Sequence, residues 1–246
     1  PALLAARVPG RGLAFLAGSG VIALLNEFNY QVEAGARLDP DEGLPDPSDG
    51  VLVPDPAGDV WRIAWADDLR AYIWNPGLDA WTTSEIAGDP VGPRPGAAAA
   101  AGSARDRVWI AGGDVDPALF ALSLVPADDG RAMVTRLAAL DGPRRGAAVV
   151  PVARGDDEAP LIVGGDAELP AVYVPAAGLA LGLVGAWTGI QCRQLDLVDA
   201  GTVRVLCVGG LRGGAPTADA LLLNCPPNTA ETTFEHADFE VEPMFQ

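Results

Sequence analysis

The chain has 246 residues, 49% of them hydrophobic, and a formal net charge of −17. That is ample apolar material for a buried core, and the negative field argues against phosphate backbones and anionic lipid headgroups as partners. All 16 basic residues are arginine, which with the abundant Ala, Gly and Pro reads as a high-GC coding sequence and concerns the genome rather than the function. The plain reading of the charge is solubility; a cation or a basic partner is the other use of it.

With 30 glycines and 22 prolines the chain is dense in turns, so short strands are expected rather than long helices. The start, "PALLAARVPGRGLAFLAGSG", has neither an initiating Met nor the order of regions of a signal peptide. It reads as a processed or incomplete beginning, compatible with a removed export signal. The first unit is placed over 12–38, where two apolar runs flank Gly18-Ser19-Gly20. The acidic, Pro-rich "LDPDEGLPDPSDG" that follows reads as a connecting loop. Residues 50–83 hold four strand-like runs separated by Pro, Gly and Asp turns, ending in Tyr72 to Pro76 and then Asp79-Ala80-Trp81.

From here a pattern repeats. "RPGAA" (Arg94–Ala98) precedes "VWIAGG", and "RRGAA" (Arg144–Ala148) precedes "LIVGG". A third run, "VLCVGG", ends at Gly209-Gly210, but its entry is degenerate, with "IQCRQLDLV" where the Arg-Gly pair would stand. The double glycines fall at 112, 164 and 209, and each is followed by a short loop and another apolar run: "ALFALSL", "AVYVPA" and "ADALLLN". In residues 50–83 the two-glycine position is replaced by "WADD". Units therefore span about 12–38, 50–83, 94–137, 144–187 and 190–240. Four short strands in 45–50 residues is the period of a propeller blade.

These units resemble kelch repeats. In that family a strand ends in a double glycine and an aromatic pair follows, matched here by Tyr72 with Trp81 and Tyr173 with Trp187. Phe120 stands where a tyrosine is expected. The resemblance implies an all-β fold, a single β-propeller domain over 1–246 built of four-stranded blades. About five are visible, and the ring has six or seven if sequence precedes Pro1. "TTFEHADFEVE", near the C-terminus, is the expected closing strand. Each doublet is read as architecture, a crowded strand end that a side chain would obstruct.

Chemistry-bearing residues are few. "GLRGGAPT" lacks the lysine and spacing of a phosphate loop. One histidine, His236, and three tyrosines do not make the ligand set of kelch-type copper oxidases, and no sialidase Asp-box is found. Cys192, Cys207 and Cys225 lack zinc spacing; Cys207 reads as a small buried hydrophobe, and Cys192 with Cys225 as the possible disulfide. The acids after the doublets, Asp114, Asp116, Asp166 and Glu168, together with Arg212, form the candidate binding patch on one loop face. Turn-forming is the competing use of those acids. Arg94, Arg144 and Arg145 are expected to pair with loop acids between blades, and Trp74 and Trp81 to fill blade core or serve an interface.

The expected function is a non-enzymatic scaffold, a protein-binding subunit of a bacterial envelope or extracellular assembly. It would have other protein subunits as partners and no cofactor, metal or transmembrane segment. The alternative is a carbohydrate-binding or carbohydrate-active propeller with a polar axial pocket.

Overall fold

Alternation in the sequence becomes alternation of burial. Along Gly12–Ala17 every second residue is buried, as period-2 patterning requires of a strand with one face on a core. Val60–Ala64, apolar apart from Arg62, is buried throughout, the mark of an interior strand covered on both faces. The computed structural model describes residues 3–17, 20–38, 50–65, 68–113, 117–125, 130–140, 142–154, 157–165, 172–174, 179–181, 186–199, 202–218 and 220–225. Among these every regular element is a β-strand, and several four-stranded antiparallel sheets result.

The first sheet has the order β1 (Leu3–Val8), β2 (Gly12–Ala17), β3 (Val21–Asn26), β4 (Val32–Arg37). It begins earlier than the sequence unit at residue 12, because Leu3–Val8 pairs with β2 from Leu3↔Ala17 to Val8↔Gly12. The turn at Pro9-Gly10 folds that strand back. The second sheet is β5 (Gly50–Pro54), β6 (Val60–Ala64), β7 (Arg70–Asn75), β8 (Ala80–Ser84), close to the span read from sequence. The third takes β10 (Ala98–Ala101), β11 (Arg107–Ala111), β12 (Ala118–Ser123) and β13 (Ala132–Ala139), with β9 (Ile86–Gly88) as a fifth, outermost strand parallel to β13.

The fourth sheet is β14 (Ala148–Arg154), β15 (Asp157–Val163), β16 (Val172–Val174), β17 (Leu179–Leu181). After it come β18 (Trp187–Thr188), β19 (Gln191–Asp199), β20 (Thr202–Val208), β21 (Leu211–Arg212), β22 (Ala215–Pro216) and β23 (Ala220–Cys225). They form a sheet ordered β19-β20-β23 and a small one ordered β18-β21-β22. The expected closing strand and His236 lie outside the described residues, as does most of the 38–50 loop.

The fold divides into two compact units: Pro1–Pro95 with Ala104–Val108 and Phe120–Arg136, and Gly96–Ser103 with Trp109–Leu119 and Leu137–Gln246. In the first unit β1 packs on β5 and β4 on β8. The shared core includes Val8, Leu16, Ile22, Leu52, Val60 and Trp74. Strand β4 is a sheet edge, and edges left open invite aberrant pairing. Here Asp79 Oδ1 accepts from Ala36 N at 2.6 Å, and Trp81 Nε1 donates to Ala36 O at 2.9 Å, so side chains from the adjoining sheet occupy part of the edge.

In the second unit β14 lies between β10 and β19, so the first strands of successive sheets pack together. Its core joins Val150, Leu161 and Val163 to Trp187, Val205, Cys207 and Leu221. A backbone chain links the entries: Gly146 N donates to Gly96 O and Gly189 N to Gly146 O, each at 2.8 Å. Gly189 therefore holds the place of Gly96 and Gly146. The third entry is Trp187-Thr188-Gly189, not "IQCRQLDLV", and Trp187 belongs to it rather than closing the aromatic pair of the fourth unit.

That register explains the doublets. Gly112 and Gly164 have φ of +75° and +77°. A Cβ on Gly112 would stand 2.6 Å from Arg144 O, and one on Gly164 would stand 2.3 Å from Trp187 O. In these two doublets the first glycine thus meets the carbonyl two residues before the next entry glycine, whereas in the third the close approach falls on Gly210, whose Cβ would stand 2.5 Å from Thr188 O. Both the left-handed backbone and the close approach demand glycine. Arg144 is buried and its Nη1 donates to Gly164 O at 3.0 Å. Trp187 repeats this with its indole, Nε1 donating to Gly209 O at 2.7 Å. Arg94 is buried too, its guanidinium carbon 4.5 Å from the centre of the Phe120 ring, a cation–π contact.

Candidate functional site

Of the five residues proposed from sequence as a binding patch, Asp114, Asp116, Asp166 and Glu168 lie outside the described residues. Arg212 is exposed on β21, paired in register with Trp187, and its guanidinium carbon lies 5.7 Å from the centre of that indole ring. Trp74 is buried in the first unit's core and donates from Nε1 to Asp79 Oδ1 at 3.2 Å; Trp81 is half-buried beside it.

A concave site forms in the first unit where the chain leaves one sheet for the next. Strand β8 ends at Ser84, and after Glu85 the chain becomes β9 on the outer side of the third sheet. Two adjoining recesses of about 420 and 260 Å³ line this passage and share Leu69 and Ile86. Arg70, Ala71, Tyr72, Thr83 and Ser84 border the larger; Asp68, Asp89, Pro90, Val91 and Val134 border the smaller. The β9 side is held firmly. Ala132 N donates to Glu85 O at 2.9 Å, Asp89 N to Val134 O at 3.1 Å, and Arg136 N to Asp89 Oδ2 at 2.7 Å.

The lining combines apolar side chains with hydroxyls, two carboxylates and a guanidinium. Such a mixture suits binding of a polar ligand or an extended peptide. Among the described residues no group of three or more His, Cys, Asp or Glu is placed to hold a metal ion. Sequence patterning missed the groove because its signal, the short "EIAGDPV" after "TTS", reads as a linker until β9 is seen to join the following sheet.

A second polar cluster closes the β5–β6 turn. Asp55, buried, accepts from Trp61 Nε1 and from Asp59 N, both at 3.0 Å. Asp59 Oδ1 accepts from Asn75 Nδ2 at 2.9 Å. Burial first, and then the nearby Asp55 carboxylate, raise the Asp59 pKa above its ordinary value, while Arg11 opposes them. These carboxylates are spent on the turn itself, so the cluster is architecture.

The cysteines pair differently from the expectation. Cys192 bonds to Cys207, not Cys225, across β19 and β20 at a Cα–Cα distance of 4.0 Å. The two are direct partners in the ladder, whereas Cys225 pairs with Val203 at the other end of β20. Cys207 is fully buried, as expected, but as half of a cystine. No helix among the described residues is long and apolar enough to cross a membrane. No protein-family model matches the sequence, and no curated protein matches it.

Proposed function

We propose that the chain is a kelch-like β-propeller serving as a non-enzymatic interaction module, a protein-binding subunit of a bacterial envelope or extracellular assembly. The observation that carries this reading is the recurrence of one inter-sheet joint. An entry glycine binds the next entry glycine, and a doublet glycine presses on the next entry's carbonyl, at 96, 146 and 189 and at 112 and 164. Blades around an axis require such a repeated joint, and a ring of this kind presents loops and seams to partners. The Cys192–Cys207 bond supports an oxidising compartment, since disulfides persist outside the reducing cytosol.

Co-purification from the native source, with mass spectrometry of the retained proteins, tests the reading. A stoichiometric protein partner is expected. Recovery as a lone monomer active on a glycan would overturn it. The second reading, a sugar-binding propeller, draws on the hydroxyls and Tyr72 of the groove, and saturable oligosaccharide binding lost in Thr83→Val would favour it.

A further inference from the structure

The β3–β4 turn, Asn26 to Gln31, carries the most exposed aromatic residues among those described: Phe28 is 75% exposed and Tyr30 81%, with Val32 at 68% beside them. The turn is locked. Asn26 Oδ1 accepts from Phe28 N, Asn29 Oδ1 accepts from Gln31 N, and Asn26 O accepts from Tyr30 N, all at 2.9 Å. Tyr30 sits at φ +57°, a left-handed conformation that costs a bulky side chain and favours Gly, Asn or Asp.

The matching turn of the second sheet shows what the fold itself asks of that position. There Asn75 plays the part of Asn26, its Oδ1 accepting from Gly77 N at 2.9 Å, and the left-handed residue is Asp79 at φ +49°. Asp79 turns inward and binds Ala36 N and Trp74 Nε1. Tyr30 occupies the same position in the same turn and points its ring into solvent. The left-handed backbone closes the turn, with Tyr30 N donating to Asn26 O, but the Tyr30 side chain stays 81% exposed where the Asp79 carboxylate binds inward. An outlier of this sort, on an exposed residue type enriched in binding hot spots, marks a contact made with something else.

We infer that Phe28, Tyr30 and Val32 form a rigid prong that inserts into an apolar cleft, rimmed by Lys and Arg, on a protein partner. Charge selects that occupant. Glu33 is exposed at the prong's base and the chain carries −17 overall, while Glu27 is already offset by Arg7 at 3.3 Å and leaves Glu33 as the acidic group beside the rings. A basic rim around an apolar pocket complements this surface, and pre-ordering of the turn's backbone lowers the entropy lost on docking. The inference rests on the reading of the chain as a protein-binding module and names the face it uses.

The test places a photo-crosslinking benzoylphenylalanine at Phe28 or, as control, at Leu78 on the neighbouring turn, which is 78% exposed. The full chain is irradiated in its native source. An adduct from position 28 and not 78, mapped to a partner surface of apolar residues flanked by Lys or Arg, is expected. Tyr30→Gly relieves the strain, so its Tm rises by about 2–4 °C while partner binding falls about tenfold or more. Phe28→Ser weakens binding similarly with Tm unchanged. If both variants keep the wild-type partner at wild-type affinity, the prong is not the interface, though the module reading stands. If wild type yields no adduct at either position and purifies alone, the module reading falls and the inference with it. Prong-dependent flotation with phosphatidylcholine vesicles would assign the rings to a lipid surface and overturn the inference.

Discussion

Replacing Gly164 by Ala tests the joint between successive sheets. The new methyl meets two obstacles. At φ +77° a side chain is strained by about 1–2 kcal/mol. Its Cβ would also lie 2.3 Å from Trp187 O, and that carbonyl cannot simply retreat. It accepts from Gly165 N at 2.8 Å, while Trp187 N donates to Gly165 O at 2.9 Å. Forcing the two strands apart adds overpacking of about 1–3 kcal/mol, for a total of about 2–5 kcal/mol. Gly209→Ala is the internal control. Its φ is +67°, but no heavy atom lies within 4 Å of the added Cβ, so only the strain of about 1–2 kcal/mol remains. Guanidinium denaturation followed by tryptophan fluorescence compares the midpoints. Equal losses in the two variants would refute the claim that close approach, beyond backbone conformation, requires the doublet glycine.

Three further outcomes follow from local geometry. The Asp59 pKa is raised in the folded protein, so its stabilising contribution is full below the ordinary carboxylate value and is lost as pH rises through the folded value. Asp59→Asn, which keeps an acceptor for Asn75, should therefore be more stable than wild type at neutral pH. Its advantage should vanish on acidification toward pH 3.8, and a pH series of urea midpoints reads this. Reduction, or Cys192→Ser with Cys207→Ser, removes a cross-link with a sequence separation of 15 and should cost about 3 kcal/mol, whereas Cys225→Ser should respond to reduction as wild type does. Glu158 Oε1 accepts from Trp109 Nε1 at 2.9 Å and its Oε2 from Ser103 N at 2.6 Å. Glu158→Ala should lose about 2 kcal/mol in thermal or chemical melts and Glu158→Gln clearly less, since the amide keeps one acceptor.

Much of this protein could be read from local sequence. Period-2 alternation, double glycines and the recurrent Arg-Gly entries sufficed to expect short strands in repeating units, because these signals arise within a few residues of backbone. The span 50–83 nearly coincides with the second sheet for that reason. What eluded the sequence depends on register between distant segments. Leu3–Val8 has the composition of a strand, but only its ladder with Gly12–Ala17 makes it one. Ile86–Gly88 looks like a linker until it pairs with Ala132, Met133 and Val134. Trp187 replaces the arginine of the earlier entries, since an indole N–H reaches the doublet carbonyl as a guanidinium does; shape and donor are kept while residue identity is lost. Cys207 meets Cys192 rather than Cys225 because a shift of register moves every cross-strand neighbour, and three cysteines in a list carry no register. The chain by itself determined that short strands would alternate with turns and where backbones must crowd. Tertiary structure decided which strand answers which, and left Tyr30 strained and outward at a position its neighbour fills with an inward-turned aspartate.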